Sequence, residues 1–237
     1  MANPYFNFKQ FTIYHDRCAM KVGIDGVLLG VWTNVENSNQ ILDIGTGTGL
    51  IALILAQRSE ALIDAIDIDP NAVLQALENV EKSPWADRMK VKEMSLQNFA
   101  KSTSLSYDLI VSNPPYFINS LKAPSGNRTT ARHTESLTHE EIILNAMSLL
   151  KPAGRISMIL PVNEALMCEE FALSQGLYCT REVSVFPKPT AVAKRILMEF
   201  CLQPYQREVS TLVIEGNERH HYSEDFSKLA KEFYLKL

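Results

Sequence analysis

No C-x-x-C pair occurs in this sequence: its four cysteines, Cys18, Cys168, Cys179 and Cys201, stand far apart. That spacing suits neither a zinc ribbon nor the disulfide framework of a small secreted module, so reduced thiols and no metal site are expected. No apolar run approaches the roughly 20 residues that a membrane-spanning helix needs; the longest wholly apolar stretch is Leu50 to Ala56. Nor does the start, Met1-Ala2-Asn3-Pro4-Tyr5, place a charged region ahead of an apolar one as a secretory leader does. A soluble cytoplasmic protein is the expectation. Basic charge is scarce too: 23 Lys and Arg against 27 Asp and Glu leave a formal net charge of −4. A general basic field for coating nucleic acid is thereby excluded, and any polyanion must be met locally. Internal repeats, low-complexity tracts and Gly/Ser linkers are also lacking, so the 237 residues read as one domain, with 1–39 as an N-terminal extension packed on its core.

From residue 40 onward, short β-rich apolar runs alternate with helix-period segments, the pattern of βαβ units in a parallel sheet covered on both faces. Strands are predicted at Gln40 to Ile44, Leu62 to Asp67, Met89 to Val91, up to Ser112, and Arg155 to Leu160. Asp69 is placed to cap a helix opened by Pro70, and Thr138-His139-Glu140-Glu141 reads as a capping box. Pro152-Ala153-Gly154 carries turn chemistry that should close the second helix. Cys179 to Val185 and Arg195 to Leu202 are strand-like runs with no room for a helix between them, hence an antiparallel pair at the sheet edge. The tail from Tyr222 to Leu237 has apolar residues at helical spacing and should pack back on the sheet.

Asp43-Ile44-Gly45-Thr46-Gly47-Thr48-Gly49 follows the first of these strands and opens a helix, where glycines let a ligand approach the backbone. The spacing is G-x-G-x-G, not the G-x-G-x-x-G of the dinucleotide fingerprint. Asp43 would repel a pyrophosphate there and attract an ammonium or sulfonium, which favours S-adenosylmethionine over NAD. Some twenty residues on, Asp67 can accept both hydrogens of a ribose diol, with Asp69 as the competing candidate.

Glycine loop, acidic residue and strand order together resemble the class I S-adenosylmethionine-dependent methyltransferases over residues 40–202. That resemblance implies an α/β, Rossmann-like three-layer sandwich with a mostly parallel seven-stranded sheet ending in an antiparallel C-terminal pair. It also implies a cofactor site that includes Asp43, Gly45, Thr46, Gly47, Gly49 and Asp67. Relatives usually have an acidic residue after the third strand for the cofactor's adenine amine; here Ser95 aligns with it, and Glu93 is the alternative.

Asn113-Pro114-Pro115-Tyr116 follows the apolar run Asp108 to Ser112. A planar exocyclic amine is a poor nucleophile because its lone pair is delocalised, and two acceptors on its N–H bonds can rehybridise it. Asn113 can supply a side-chain oxygen and Pro114 a backbone carbonyl, in a turn stiffened by Pro115, while Tyr116 can stack on a flat substrate. The same turn is shared by methyltransferases of adenine N6 and of glutamine side chains in proteins. The block from Phe8 through Lys21, Asp25 and Gly30, with Ser83-Pro84-Trp85-Ala86 and Phe233-Tyr234, is similar to the bacterial family that methylates the adenine beside the anticodon, position 37, of a valine tRNA. The resemblance implies an anticodon-loop substrate and puts Lys21 and Asp25 near the cofactor's methionine end. A protein glutamine methyltransferase and a non-catalytic cofactor-binding module remain as alternatives. Lys122, Arg128, Arg132, Lys188, Lys194 and Arg195 are candidate phosphate contacts, with a structural ion pair the stronger expectation for Arg195.

Overall fold

A computed structural model describes residues 3–18, 21–115, 137–216 and 221–236. In chain order its elements are β1 (Tyr5–Asn7), β2 (Thr12–Tyr14), α1 (Ile24–Trp32), β3 (Gln40–Ile44), α2 (Leu50–Arg58), β4 (Leu62–Asp67), α3 (Pro70–Glu81), β5 (Met89–Glu93), α4 (Leu96–Ser102), β6 (Tyr107–Ser112), α5 (His139–Leu149), β7 (Leu150–Pro161), α6 (Val162–Ser174), β8 (Tyr178–Phe186), β9 (Arg195–Cys201), β10 (Glu208–Val213) and α7 (Glu224–Ala230). β1 and β2 form an antiparallel ribbon of their own. The remaining strands make one sheet in the order β10-β8-β9-β7-β6-β3-β4-β5, parallel throughout except for β9.

Strand side chains point alternately to the two faces, so residues buried on both sides produce the apolar runs seen in the sequence. Leu109 and Val111 of β6 join a core under α1, α2 and α7, together with Phe8, Phe11, Leu28, Leu53 and Phe226. Tyr107 and Ile110 join the opposite core under α4, α5 and α6, with Phe99, Ile142 and Phe200. Among the described residues no helix is long and apolar enough to cross a membrane.

The expected antiparallel pairing of β8 with β9 is present, but the sheet has eight strands, not seven. β10 adds parallel to β8 and takes the edge. Four of its six residues, Glu208 to Thr211, are exposed, which removes the alternation by which a strand is read. Pro152-Ala153-Gly154 is also not a helix-ending turn: it lies within β7. Pairing jumps there from Tyr107 with Leu150 to Leu109 with Arg155, so the turn residues make a bulge. Gly154 is needed in it, because a Cβ would come within 2.8 Å of the Tyr107 carbonyl oxygen. The two helix caps are as predicted: Asp69 accepts from the Asn71 amide, and Thr138 and Glu141 form the reciprocal capping box.

α1 lies tightly against α2. A Cβ at Gly30 would stand 2.9 Å from Ile54 Cγ2, and Arg58 of α2 donates from Nη1 to the carbonyls of Gly30 and Thr33 at 2.6 and 2.7 Å, satisfying groups left open at the end of α1. Gly30→Val is expected to lower unfolding stability by roughly 1–3 kcal/mol through overpacking against the stiff Ile54. Urea unfolding checks this; an unchanged midpoint would contradict the close helix approach.

Candidate active site

The chain leaves β3 toward β4 and β5 on one side and returns through β6 on the other, so the order reverses between β3 and β6. Ligands of open α/β sheets bind at the carboxyl ends of the strands at such a switch point. Parallel register fixes what meets there. Ile44 stands opposite both Ile66 and Ser112, and Asp67 opposite Glu93. The next residues out, Gly45 and Asn113, therefore leave the sheet side by side, and the Ser112 hydroxyl fastens the two strand ends by donating to the Ile44 carbonyl at 3.0 Å.

The glycine loop folds back over β4. Gly45 N–H and Thr46 N–H both donate to the Ile66 carbonyl, at 2.9 and 3.0 Å, and Gly47 N–H donates to Asp67 Oδ2 at 2.8 Å. Gly45, Gly47 and Gly49 have φ of 69°, 56° and 81°, the left-handed region that disfavours a side chain. Their surroundings differ. A Cβ at Gly49 would meet Ala76 of α3 at 3.5 Å, whereas around Gly45 and Gly47 nothing lies within 4 Å. Gly49 thus faces α3 at an ordinary contact distance and is selected by its backbone angle, and the first two glycines border open space, a cradle that would admit a cofactor's methionine and ribose portions.

Asp67 borders that cradle with its carboxylate held at both ends, Oδ2 by Gly47 and Oδ1 by the Asp69 amide at 3.0 Å. Each oxygen keeps a further lone pair for a diol. Asp69 has its own occupation, capping α3 through the Asn71 amide at 2.9 Å.

Asp43 lies beneath the loop with 0% exposure. Thr46 Oγ1 donates to its Oδ2 at 2.6 Å, so the Thr46 side chain also turns inward. Burial pushes the Asp43 carboxyl up to about 7, against the lowering effect of Thr46 and the Ala52 amide, and nearby Asp67 adds to the rise.

Ser95 caps α4, its hydroxyl oxygen accepting from the Asn98 amide at 3.3 Å, while Glu93 is exposed at the end of β5. Lys21 is exposed just ahead of α1. Asp25, in the first turn of α1, accepts from Arg195 Nε at 2.9 Å, the structural ion pair expected for that arginine. Lys188 and Lys194 both lie in the loop between β8 and β9, at the same end of the sheet as the glycine loop, and Lys188 Nζ is 3.4 Å from Glu215. Asn113 is half-buried, Pro114 buried and Pro115 exposed. Tyr116, Lys122, Arg128 and Arg132 lie outside the described residues.

One pair of residues was missed from sequence. Gln75 and Asn79 of α3 are 0% and 1% exposed, and Asn79 Nδ2 donates to the Thr48 carbonyl of the glycine loop at 2.9 Å. Two amides on the buried face of a helix were the available signal.

Residues 26–184 match the family model described as "Methyltransferase small domain". The chain is 51% identical to a tRNA1(Val) (adenine(37)-N6)-methyltransferase of Parabacteroides distasonis, with 100% of each chain covered, and 48% identical over the same extent to one of Bacteroides fragilis. Among solved structures, Pyrococcus horikoshii TYW2 in complex with MeSAdo shares the fold, with a TM-score of 0.56 and 15% identity over 83% of this chain and 69% of that one.

The Asp43 environment carries a pH signature. Its folded value of about 7 lies above the ordinary 3.8, so the folded state binds the proton more tightly. The native state thus loses stability as pH rises from about 4 to 7, by up to roughly 4 kcal/mol. Asp43→Asn is expected to remove that loss, which urea midpoints at pH 5 and pH 8 would show as a smaller decline in the variant. An equal decline in both proteins would place the carboxylate in a better-solvated setting.

Proposed function

The chain belongs to the methyltransferase small domain family, alongside the tRNA1(Val) (adenine(37)-N6)-methyltransferases that it matches end to end, and from that membership we propose that it methylates N6 of adenine 37 in tRNA1(Val). The observation that carries the reading is the placement of Asn113 beside Gly45 by the pairing of Ile44 with Ser112. S-adenosylmethionine, when bound, supplies an electrophilic methyl group on a sulfonium. Gly45 and Gly47 give it an open backbone cradle, Asp67 accepts the ribose hydroxyls, and the buried Asp43, whose raised carboxyl a nearby sulfonium draws back toward its ionised form, supplies negative potential near the positive end.

On the substrate side, the Asn113 side-chain oxygen and the Pro114 carbonyl accept the two N–H bonds of the adenine amine and aim its lone pair. The Pro114-Pro115 turn holds both acceptors rigidly, and Tyr116 supplies a stacking face, worth about 1–3 kcal/mol. No nucleophilic side chain is required; the acceleration comes from positioning and preorganised dipoles. An anticodon-loop adenine is single-stranded, so drawing it into the site avoids the few kcal/mol needed to flip a base from a duplex. Lys188 and Lys194 support an RNA substrate from the loop between β8 and β9. The exposed pairing of Lys188 with Glu215 is weak enough to yield to a phosphate.

Asn113→Ala is expected to lower methyl transfer by roughly 10² to 10³ while changing S-adenosylhomocysteine affinity by less than about threefold. Labelled S-adenosylmethionine offered with either a tRNA1(Val) transcript or a peptide-release factor checks both arms. Label should enter the RNA as N6-methyladenosine. Label entering the release factor, or full turnover by the variant, would overturn the reading.

A further inference from the structure

The end of the N-terminal ribbon is fastened to the cofactor side of the molecule by α3. Asn79 accepts from the Tyr14 amide at 2.9 Å and donates from Nδ2 both to the Tyr14 carbonyl and to the Thr48 carbonyl, each at 2.9 Å. One turn earlier on the same helix face, Gln75 Oε1 accepts from the Arg17 amide at 3.0 Å. Both carboxamides are buried, so these bonds form away from competing water and leave costly orphans when broken. The segment from Tyr14 to Cys18 is thereby laid along α3 toward the residues that border the glycine cradle. The next group after Arg17 is the half-buried Cys18 thiol, which lies near enough to Asp67 and Asp69 to feel both; burial first, and then those two carboxylates, push it up to about 11.

We propose that Asn79 is a positioning residue for the cofactor pocket, a latch that ties the N-terminal segment through Cys18 to the glycine loop so that this segment walls the pocket at Asp67. The proposal rests on the cofactor reading given above. Its physical basis is that one buried amide bonds both parts, Tyr14 of the ribbon and Thr48 of the loop, and so sets their separation. Loss of the latch leaves the glycine cradle and the Asn113 turn in place but frees the wall. Cofactor affinity should therefore suffer more than the methyl-transfer step.

The test compares wild type with Asn79→Ser in three measurements: S-adenosylhomocysteine affinity by calorimetry, steady-state kinetics, and iodoacetamide labelling of Cys18 followed by peptide mass spectrometry. In the wild type, saturating S-adenosylhomocysteine should slow Cys18 labelling. In Asn79→Ser, affinity is expected to fall about tenfold, with the KM for S-adenosylmethionine rising to match and kcat changing by less than about twofold. Cys18 should label faster and lose its protection by the ligand. A role confined to fold stability would lower the melting temperature without altering Cys18 protection or separating KM from kcat, and that outcome overturns the proposal. Should Asn79→Ser not be recovered folded, Gln75→Leu, which releases the Arg17 amide and a long bond to Glu78 but leaves the Tyr14 and Thr48 bonds to Asn79, is read the same way, with an expected affinity loss of about threefold; wild-type affinity and protection in it overturn the latch. A wild-type protein with no affinity for S-adenosylhomocysteine would instead overturn the cofactor reading itself.

Discussion

The pairing of β3 with β6 is the constraint from which the site follows. These strands are distant in sequence and become neighbours only because the chain reverses its winding direction between them. With Ile44 facing Ser112, the residues that leave the sheet next are a glycine and an asparagine. A shift of one residue in that register would turn the buried side chains of β6 to the opposite core, exchanging Leu109 and Val111 with Ile110. The hydrophobic sorting of the two faces thus fixes the position of the Asn113 turn relative to the glycine loop. The Ser112 hydroxyl bond to the Ile44 carbonyl adds a local tie at the point where the ladder ends.

Around that point the structure separates tasks that the sequence presents as one motif. Gly45 and Gly47 border open space, whereas Gly49 faces Ala76 of α3, so one run of glycines with a shared left-handed backbone meets two different surroundings. Asp43 and Thr46 form a buried pair under the loop, and Asp67 receives the Gly47 amide from above β4. The acidic residues are thereby graded by depth: Asp43 is sealed under the loop with Thr46, Asp67 accepts the Gly47 and Asp69 amides, and Asp69 caps α3. Basic groups follow a similar division, with Arg195 held to Asp25 while Lys188 and Lys194 sit on the loop at the open end of the sheet.

Much of this arrangement is legible in the amino-acid sequence because local chemistry and tertiary placement agree. β3 and β4 are readable to the residue from apolar runs bounded by turn signals, and the caps at Asp69 and Thr138 are readable from side-chain reach alone. What is not legible depends on neighbours distant in sequence. β10 is a strand because β8 offers a free edge, although its own residues are mostly exposed. Pro152-Ala153-Gly154 has the composition of a turn and becomes a bulge because β6 holds the chain on either side of it. Asn79 looks like an ordinary helix polar residue until the N-terminal ribbon and the glycine loop are seen to converge on it. The burial of Asp43 likewise needs α2 laid over the strand end before it can be seen.

The central claim is that the glycine cradle and the Asn113 turn face one cofactor. A crystal structure with S-adenosylhomocysteine tests it most directly. The account predicts the ribose on Asp67, the amino-acid portion over Gly45 and Gly47, and the sulfur directed at Asn113. A ligand bound elsewhere, or with its sulfur turned away from Asn113, would contradict it.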